Sequence, residues 1–241
     1  GNSLIMPTPQ LLEVIRFLKE NVPSIERITS YARSHTIAHR SVGDLMELRE
    51  AGLSLIYIGL ETGYGELLDY VKKGCTPDQH IAAGRKVMEA GITLSENVMP
   101  GLGGKKCWRQ HAIETAKVLN RINPDFIRMR STIARPGTPL HDKWERGEWQ
   151  HLSDEEVVRE QQLLIQHLEG IESHFVSDHM NNLLMELKGK FPKAKEDLLA
   201  TIDRYLGLPS EEKLHFSVGR RLGYYERLDD LGIEEARANV D

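Results

Sequence analysis

The sequence predicts an α/β protein: a partial parallel (β/α) barrel of TIM type, incomplete at its N-terminus, with a helical C-terminal extension. Three observations carry this. Probable strands begin near residues 27, 54, 92 and 126, and helical patterns follow them, the alternation of βαβ units on a parallel sheet. The run Leu55-Ile56-Tyr57-Ile58-Gly59-Leu60 is almost continuously apolar, as suits a strand covered on both faces. After about Leu152 the alternation gives way to long helical stretches. The division expected is therefore a barrel over 1–150 and a helical extension over 151–241.

Taken in order, Pro7 and Pro9 punctuate a loop. Leu11, Leu12, Ile15 and Leu18 then recur at helical spacing up to Pro23, which predicts a helix over about 9–21. Ile28 to Tyr31 is a short β-prone run. Ser41 is placed to N-cap a helix carrying Leu45, Leu48 and Ala51, and Gly52 stops it. The strand at Leu55 to Leu60 leads into a short helix over Glu66–Lys72 and a longer one over Asp78–Ala90, ended by Gly91. Ile92–Met99 and Phe126–Ile133 read as further strands, with a helix around Ala112–Ile122 between them and a loop at Pro136-Gly137-Thr138-Pro139. Ser153-Asp154-Glu155-Glu156 is a capped, acidic helix start. Helices are also expected over about 173–188 and 193–206, Pro209 opens a last polar helical segment, and no β repeat is expected past Leu152. The opening Gly1-Asn2-Ser3-Leu4-Ile5 reads as the tail of a strand and its loop, so a fragment with at least one earlier strand is expected.

Composition narrows the function classes. With 241 residues, 40% hydrophobic and 28% charged, the chain is an ordinary globular one with a real core. Thirty-one basic against thirty-six acidic side chains leave a net charge of −5, so charge implies no nucleic-acid partner. No apolar run is long enough to cross a bilayer and no signal peptide opens the chain, which predicts a cytoplasmic protein without a membrane partner. Two cysteines, Cys75 and Cys107, build neither a disulfide framework nor a self-contained zinc or iron–sulfur site. Gly101-Leu102-Gly103-Gly104 lacks dinucleotide spacing, and no Walker loop occurs.

In a parallel barrel the chemistry sits where strands give way to loops. Those segments are Ser30-Tyr31-Ala32-Arg33, Gly59-Leu60-Glu61-Thr62-Gly63, Glu96 to Gly104, and Arg128-Met129-Arg130 with the Pro136 loop. A carboxylate such as Glu61 accepts from ribose hydroxyls, the Asn97 amide donates and accepts, and clustered glycines let backbone approach a ligand. Together they resemble a nucleoside-type pocket. Plainer roles exist for each: a helix cap for Glu61, helix-end cations for Lys72 and Lys73, a simple turn at Gly101. His174 and His179, with Asp178, offer metal-ligand chemistry, but five residues on a helix turn them about 140° apart. Cys107 reads as an incidental thiol, Trp108 as packing, and Arg220 and Arg221 as tail packing.

The order of motifs resembles the radical S-adenosylmethionine (radical SAM) superfamily, particularly its oxygen-independent coproporphyrinogen oxidase-like and elongator-like branch. It rests on Ile56-Tyr57-Ile58-Gly59-Leu60-Glu61-Thr62-Gly63, Val71-Lys72-Lys73-Gly74, His80-Ile81-Ala82-Ala83-Gly84-Arg85, Ala90-Gly91-Ile92, Met99-Pro100-Gly101-Leu102-Gly103 and Arg135-Pro136-Gly137-Thr138-Pro139-Leu140, and covers about residues 1–140. The resemblance implies SAM and a [4Fe-4S] cluster as cofactors, with the Cys-x3-Cys-x2-Cys ligands upstream of residue 1 and no metal ligand in this chain. It implies Glu61 at the SAM ribose, Lys73 at the SAM carboxylate, Asn97 as a further polar contact, Ser30 and Arg33 near third-strand contacts, Met129 at the adenine pocket, and the Gly101 loop at the cofactor. The full-length protein is then expected to be an oxidoreductase-like enzyme that reductively cleaves SAM and abstracts hydrogen from an unidentified small or macromolecular substrate, using an electron donor. The fragment alone is expected to be inactive, with no catalytic residue assigned. A non-radical barrel lyase using Lys73 or Glu61, and a non-catalytic binding module, are the alternatives.

Overall fold

The computed structural model describes residues 2–240. A 3-10 turn at Ser3–Ile5 precedes α1 (Thr8–Asn21), after which β1 (Ile28–Ala32), α2 (Ser34–Ala38), α3 (Val42–Ala51) and β2 (Leu53–Glu61) follow. The next units are α4 (Gly65–Tyr70), α5 (Pro77–Glu89), β3 (Thr93–Val98), α6 (Gly104–Ile122) and β4 (Phe126–Met129). Then come α7 (Pro139–Glu145), α8 (Asp154–His167), β5 (His174–Val176), β6 (Lys188–Lys190), α9 (Lys195–Leu206), α10 (Ser210–Leu222), a 3-10 turn and α11 (Glu234–Ala238). Among the described residues no helix is long and apolar enough to cross a membrane.

Local chemistry sets the helix starts. Ser41 and Asp44, Thr76 and Gln79, and Ser153 and Glu156 each form a reciprocal capping box, which satisfies backbone donors the first turn leaves open. Gly52, at φ 130°, ends α3 where a side chain would be strained.

The six strands pair in chain order, β1 to β5 parallel and β6 antiparallel on the far edge. Neighbours in sheet order are neighbours in sequence, so there is no switch point of the doubly wound kind and the winding is that of a barrel arc. One face is covered by helices. Ile56, Ile58, Leu60, Leu94, Val98, Ile127 and Met129 are buried there with Leu45, Leu48, Ile81, Val87, Ala116 and Leu119. Side chains alternate along each strand, so Tyr57, Gly59, Ser95, Asn97, Phe126 and Arg128 lie on the opposite, open face.

The region after 150 departs from the sequence expectation. The helix expected over 173–188 is absent, and β5 and β6 occupy its ends. His174-Phe175-Val176 is three residues long, and Lys188-Gly189-Lys190 has no apolar residue, so neither carries a periodic signal. β5 hydrogen-bonds to β4 and buries Phe175 completely. The sheet itself thus crosses the expected boundary at 150, and Val158, Leu164 and Ile165 of α8 belong to the same core as α6.

Candidate functional site

The parallel register lines residues into rows across the open face. Tyr31, Tyr57, Ser95, Phe126 and His174 stand side by side on five successive strands. Tyr31 and Tyr57 stack at 4.9 Å between centroids, and Phe126 and His174 at 5.4 Å. One step toward the strand C-termini, Gly59, Asn97, Arg128 and Val176 form the next row. An aromatic floor therefore lies below a polar row.

At the end of β2, Glu61 adopts φ 61°, a left-handed conformation unusual for a side chain other than glycine. The turn carries its carboxylate back over Gly59: a Cβ added there would lie 2.1 Å from Glu61 Oε1 and 3.0 Å from Lys73 Nζ. Lys73, past the end of α4, donates to Glu61 Oε1 at 2.9 Å. Both side chains are about one-fifth exposed, at 20% and 23%. Asn97 is 6% exposed, and its Oδ1 accepts from Arg130 Nε at 3.2 Å. Arg128 is paired with Asp178 at 3.2 Å. Glu61, Lys73 and Asn97, read separately from the sequence, thus meet around one glycine.

The other sequence candidates are distributed differently. Ser30 pairs in register with Ile56, on the helix-covered side, and its hydroxyl donates to the Tyr31 carbonyl at 3.3 Å. Arg33 is exposed just past β1, its amide donating to Asn2 Oδ1 at 3.2 Å. Met129 is 1% exposed and faces the helices beside Val98. Gly101, at φ 85°, donates its amide to Glu160 Oε2 at 2.6 Å. Arg130 stood in a strand-end segment read from the sequence but carried no role there, and the two aromatic pairs were not singled out, although alternation along β1, β2 and β4 was the signal for them. His174 and Asp178 lie on β5 and the loop after it, not on a helix, and α6 begins earlier than expected, with non-helical backbone at Cys107.

Beneath the helix-covered face, His80 of α5 meets Glu96 of β3 at 3.0 Å and the Ser34 hydroxyl through its other ring nitrogen. All three are at most 2% exposed. Burial alone pulls the His80 pKa down, but the Glu96 charge and the hydrogen bonds the ring donates to Cys75 and Glu96 outweigh it, to about 9. With no surface access this trio is a structural ion pair and not a nucleophilic triad.

Against this geometry, 25% identity over 116 residues relates the chain to the tRNA uridine(34) acetyltransferase of Methanocaldococcus jannaschii, covering 48% of this chain and 21% of the relative. The enzyme of the same name from Methanocaldococcus infernus is 25% identical over 122 residues, covering 48% and 22%. The chain spans about a fifth of the length of these curated relatives. Among solved structures, Methanocaldococcus infernus Elp3 with an N-terminal deletion superposes with a TM-score of 0.49 and 20% identity, over 57% of this chain and 32% of that one. Escherichia coli coproporphyrinogen III oxidase (HemN), described as a radical SAM enzyme, superposes with a TM-score of 0.48 and 17% identity, over 56% and 31%. No protein-family model matches the chain.

The two groups that the sequence motifs imply, SAM and an iron–sulfur cluster, fare differently. A carboxylate, an ammonium, an amide and bare glycine backbone around Gly59 suit the hydroxyls, the carboxylate and the close approach of SAM. A cluster does not fit: Cys75 follows α4 and neighbours His80, whereas Cys107 lies inside α6 and donates to the Gly103 carbonyl. Three thiolates are needed, and the sequence holds two cysteines.

Proposed function

We propose that this chain forms the SAM-binding wall of a radical SAM enzyme whose cluster ligands come from sequence outside these 241 residues. The observation that carries the reading is the convergence of Glu61, Lys73 and Asn97 on the bare backbone of Gly59 at the strand ends. Bound SAM supplies radical hydrogen-abstraction chemistry when a reduced cluster is present. The residues here bind and orient it: Glu61 accepts from the ribose hydroxyls, Lys73 pairs with the carboxylate, and Asn97 offers its amide.

The aromatic row from Tyr31 to His174 continues the same face toward the strand N-termini and would line the floor beneath the bound cofactor. A net charge of −5 gives this chain no general affinity for a phosphate backbone. A tRNA substrate, of the kind named for the relatives, would therefore need a local basic surface such as Arg128 and Arg130.

Calorimetric titration of the purified chain with S-adenosylhomocysteine tests the reading without a cluster. Saturable binding that Lys73→Ala and Glu61→Ala each weaken supports it. Absence of binding, or binding indifferent to both substitutions, rejects it.

A further inference from the structure

The open face is built on two loops, the end of β2 at Glu61 and the β3–α6 loop at Gly101, and both depart from ordinary strand or helix geometry, with φ 61° and φ 85°. Behind them lies a buried pair that the proposed SAM site does not use. His111 of α6 and Glu160 of α8 are 1% and 2% exposed, with Nδ1 and Oε1 3.4 Å apart. Both atoms are buried without a hydrogen-bond partner, facing each other across that 3.4 Å gap.

The remaining atoms of the pair reach the site loops. Glu160 Oε2 accepts from the Gly101 amide at 2.6 Å, and the His111 ring is hydrogen-bonded to the backbone of Glu61. The Glu61 carbonyl also accepts from the Met99 amide at 3.0 Å. A chain of contacts, with the 3.4 Å approach of Glu160 to His111 at its centre, thus runs from Gly101 to Glu61 and links the two loops on which the cofactor would rest.

The protonation states that satisfy this path are also those burial favours. Desolvation pushes the Glu160 carboxyl up to about 8 and the His111 imidazole down to about 3, so both are neutral at pH 7. In those states the Glu160 O–H has His111 Nδ1 as its acceptor across the 3.4 Å gap, and the other ring N–H donates to the Glu61 carbonyl. Few titratable or charged groups face the pair. From α6, Cys107 feels the Glu160 charge; from β2, Glu61 presents its backbone; the β3–α6 loop presents the Gly101 amide. Gln161 of α8, Val98, Pro100, Ala112 and Leu164 complete the surroundings.

We propose that Glu160 and His111 are positioning residues of the SAM site, a buried bolt that holds Glu61 in its left-handed turn and fixes the Gly101 loop beside it. The proposal rests on the SAM reading for its ligand but on the bolt itself for its geometry. Loss of the Glu160 proton places a buried charge against His111 Nδ1, which has no proton to offer, and opens the bolt.

The test compares wild type, Glu160→Gln and Glu160→Ala from about pH 6 to pH 9.5, by S-adenosylhomocysteine titration and by amide hydrogen exchange at Gly101 and Met99. Glutamine keeps an acceptor for Gly101 and an N–H for His111, so it mimics the protonated acid. Wild-type affinity is expected to fall about tenfold above pH 8, Glu160→Ala to be weaker about tenfold throughout, and Glu160→Gln to rescue binding with a flat pH profile. Protection at Gly101 should follow the same order. A glutamine variant as weak as the alanine one, or Gly101 protection that is the same in wild type and both variants, overturns the bolt. If wild type binds no S-adenosylhomocysteine, the SAM reading fails, and the exchange data still decide the bolt.

Discussion

Lys73 Nζ lies 2.9 Å from Glu61 Oε1, directly over the space a side chain at Gly59 would occupy. The two charges satisfy each other while no ligand is bound, and both remain partly solvated. Such a pair contributes less than about 1 kcal/mol to folding. Lys73→Ala and Glu61→Ala are therefore expected to leave the urea midpoint nearly unchanged while each weakens S-adenosylhomocysteine binding by about tenfold or more. A large loss of stability with unaltered binding would assign the pair to the fold.

Two glycines in the same segment should separate site from scaffold. At Gly59 an added Cβ meets only the mobile ends of Glu61 and Lys73, which can swing aside. Gly59→Ala should fold normally and lose ligand. At Gly63 the added Cβ meets the Glu114 carbonyl oxygen at 2.4 Å and the Thr115 Cα at 2.7 Å, both backbone of α6. Gly63→Ala should cost about 1–3 kcal/mol of stability, since overpacking against backbone is relieved only by moving a helix. Thermal unfolding of the two variants side by side measures the contrast.

Much of this arrangement was legible before any coordinates. β2 announces itself by an apolar run, β1 and β3 by shorter β-prone segments, and capped starts mark α3 and α8. Glu61, Lys73 and Asn97 were readable because each ends or follows a recognisable element. What sequence could not give was facing. Met129 and Arg130 are adjacent in sequence, yet one is packed under helices and the other reaches Asn97. Only the register decides which is which. Glu160 and His111 were silent for a related reason: each sits in an amphipathic helix as a polar residue among many, and their meeting depends on how α8 packs on α6.

The cysteines give a third prediction. Cys75 and Cys107 belong to separate local environments, one beside His80 and one bonded to the Gly103 carbonyl, so they offer no shared set of iron ligands. Anaerobic reconstitution of this chain with iron and sulfide should yield no stoichiometric [4Fe-4S] cluster, as read by iron analysis and visible absorbance. The double serine variant should give the same spectrum. A cluster that forms in the chain and is lost in that variant would show that the two cysteines take part in ligation after all.

The buried His80–Glu96 pair makes stability depend on pH in a direction that follows from the shift. Folding raises the His80 pKa from 6.5 to about 9, so its contribution is fully present below about 6.5 and is lost as pH rises through about 9. The size implied is on the order of 3 kcal/mol. Glu160 acts in the same direction, its contribution fading between about 4.5 and 8 while that of His80 fades between about 6.5 and 9, so only the loss from about pH 8 to 9 belongs to His80 alone. Removing one partner of a buried pair costs about 3–5 kcal/mol, and in Glu96→Gln, with the Glu96 charge gone, burial dominates over the Cys75 bond and keeps the imidazole neutral. The variant should be less stable than wild type at pH 7, and the gap should narrow as pH approaches 10. Urea unfolding at several pH values measures that gap, and a constant difference across the range would mean that Glu96 does not hold the proton on His80.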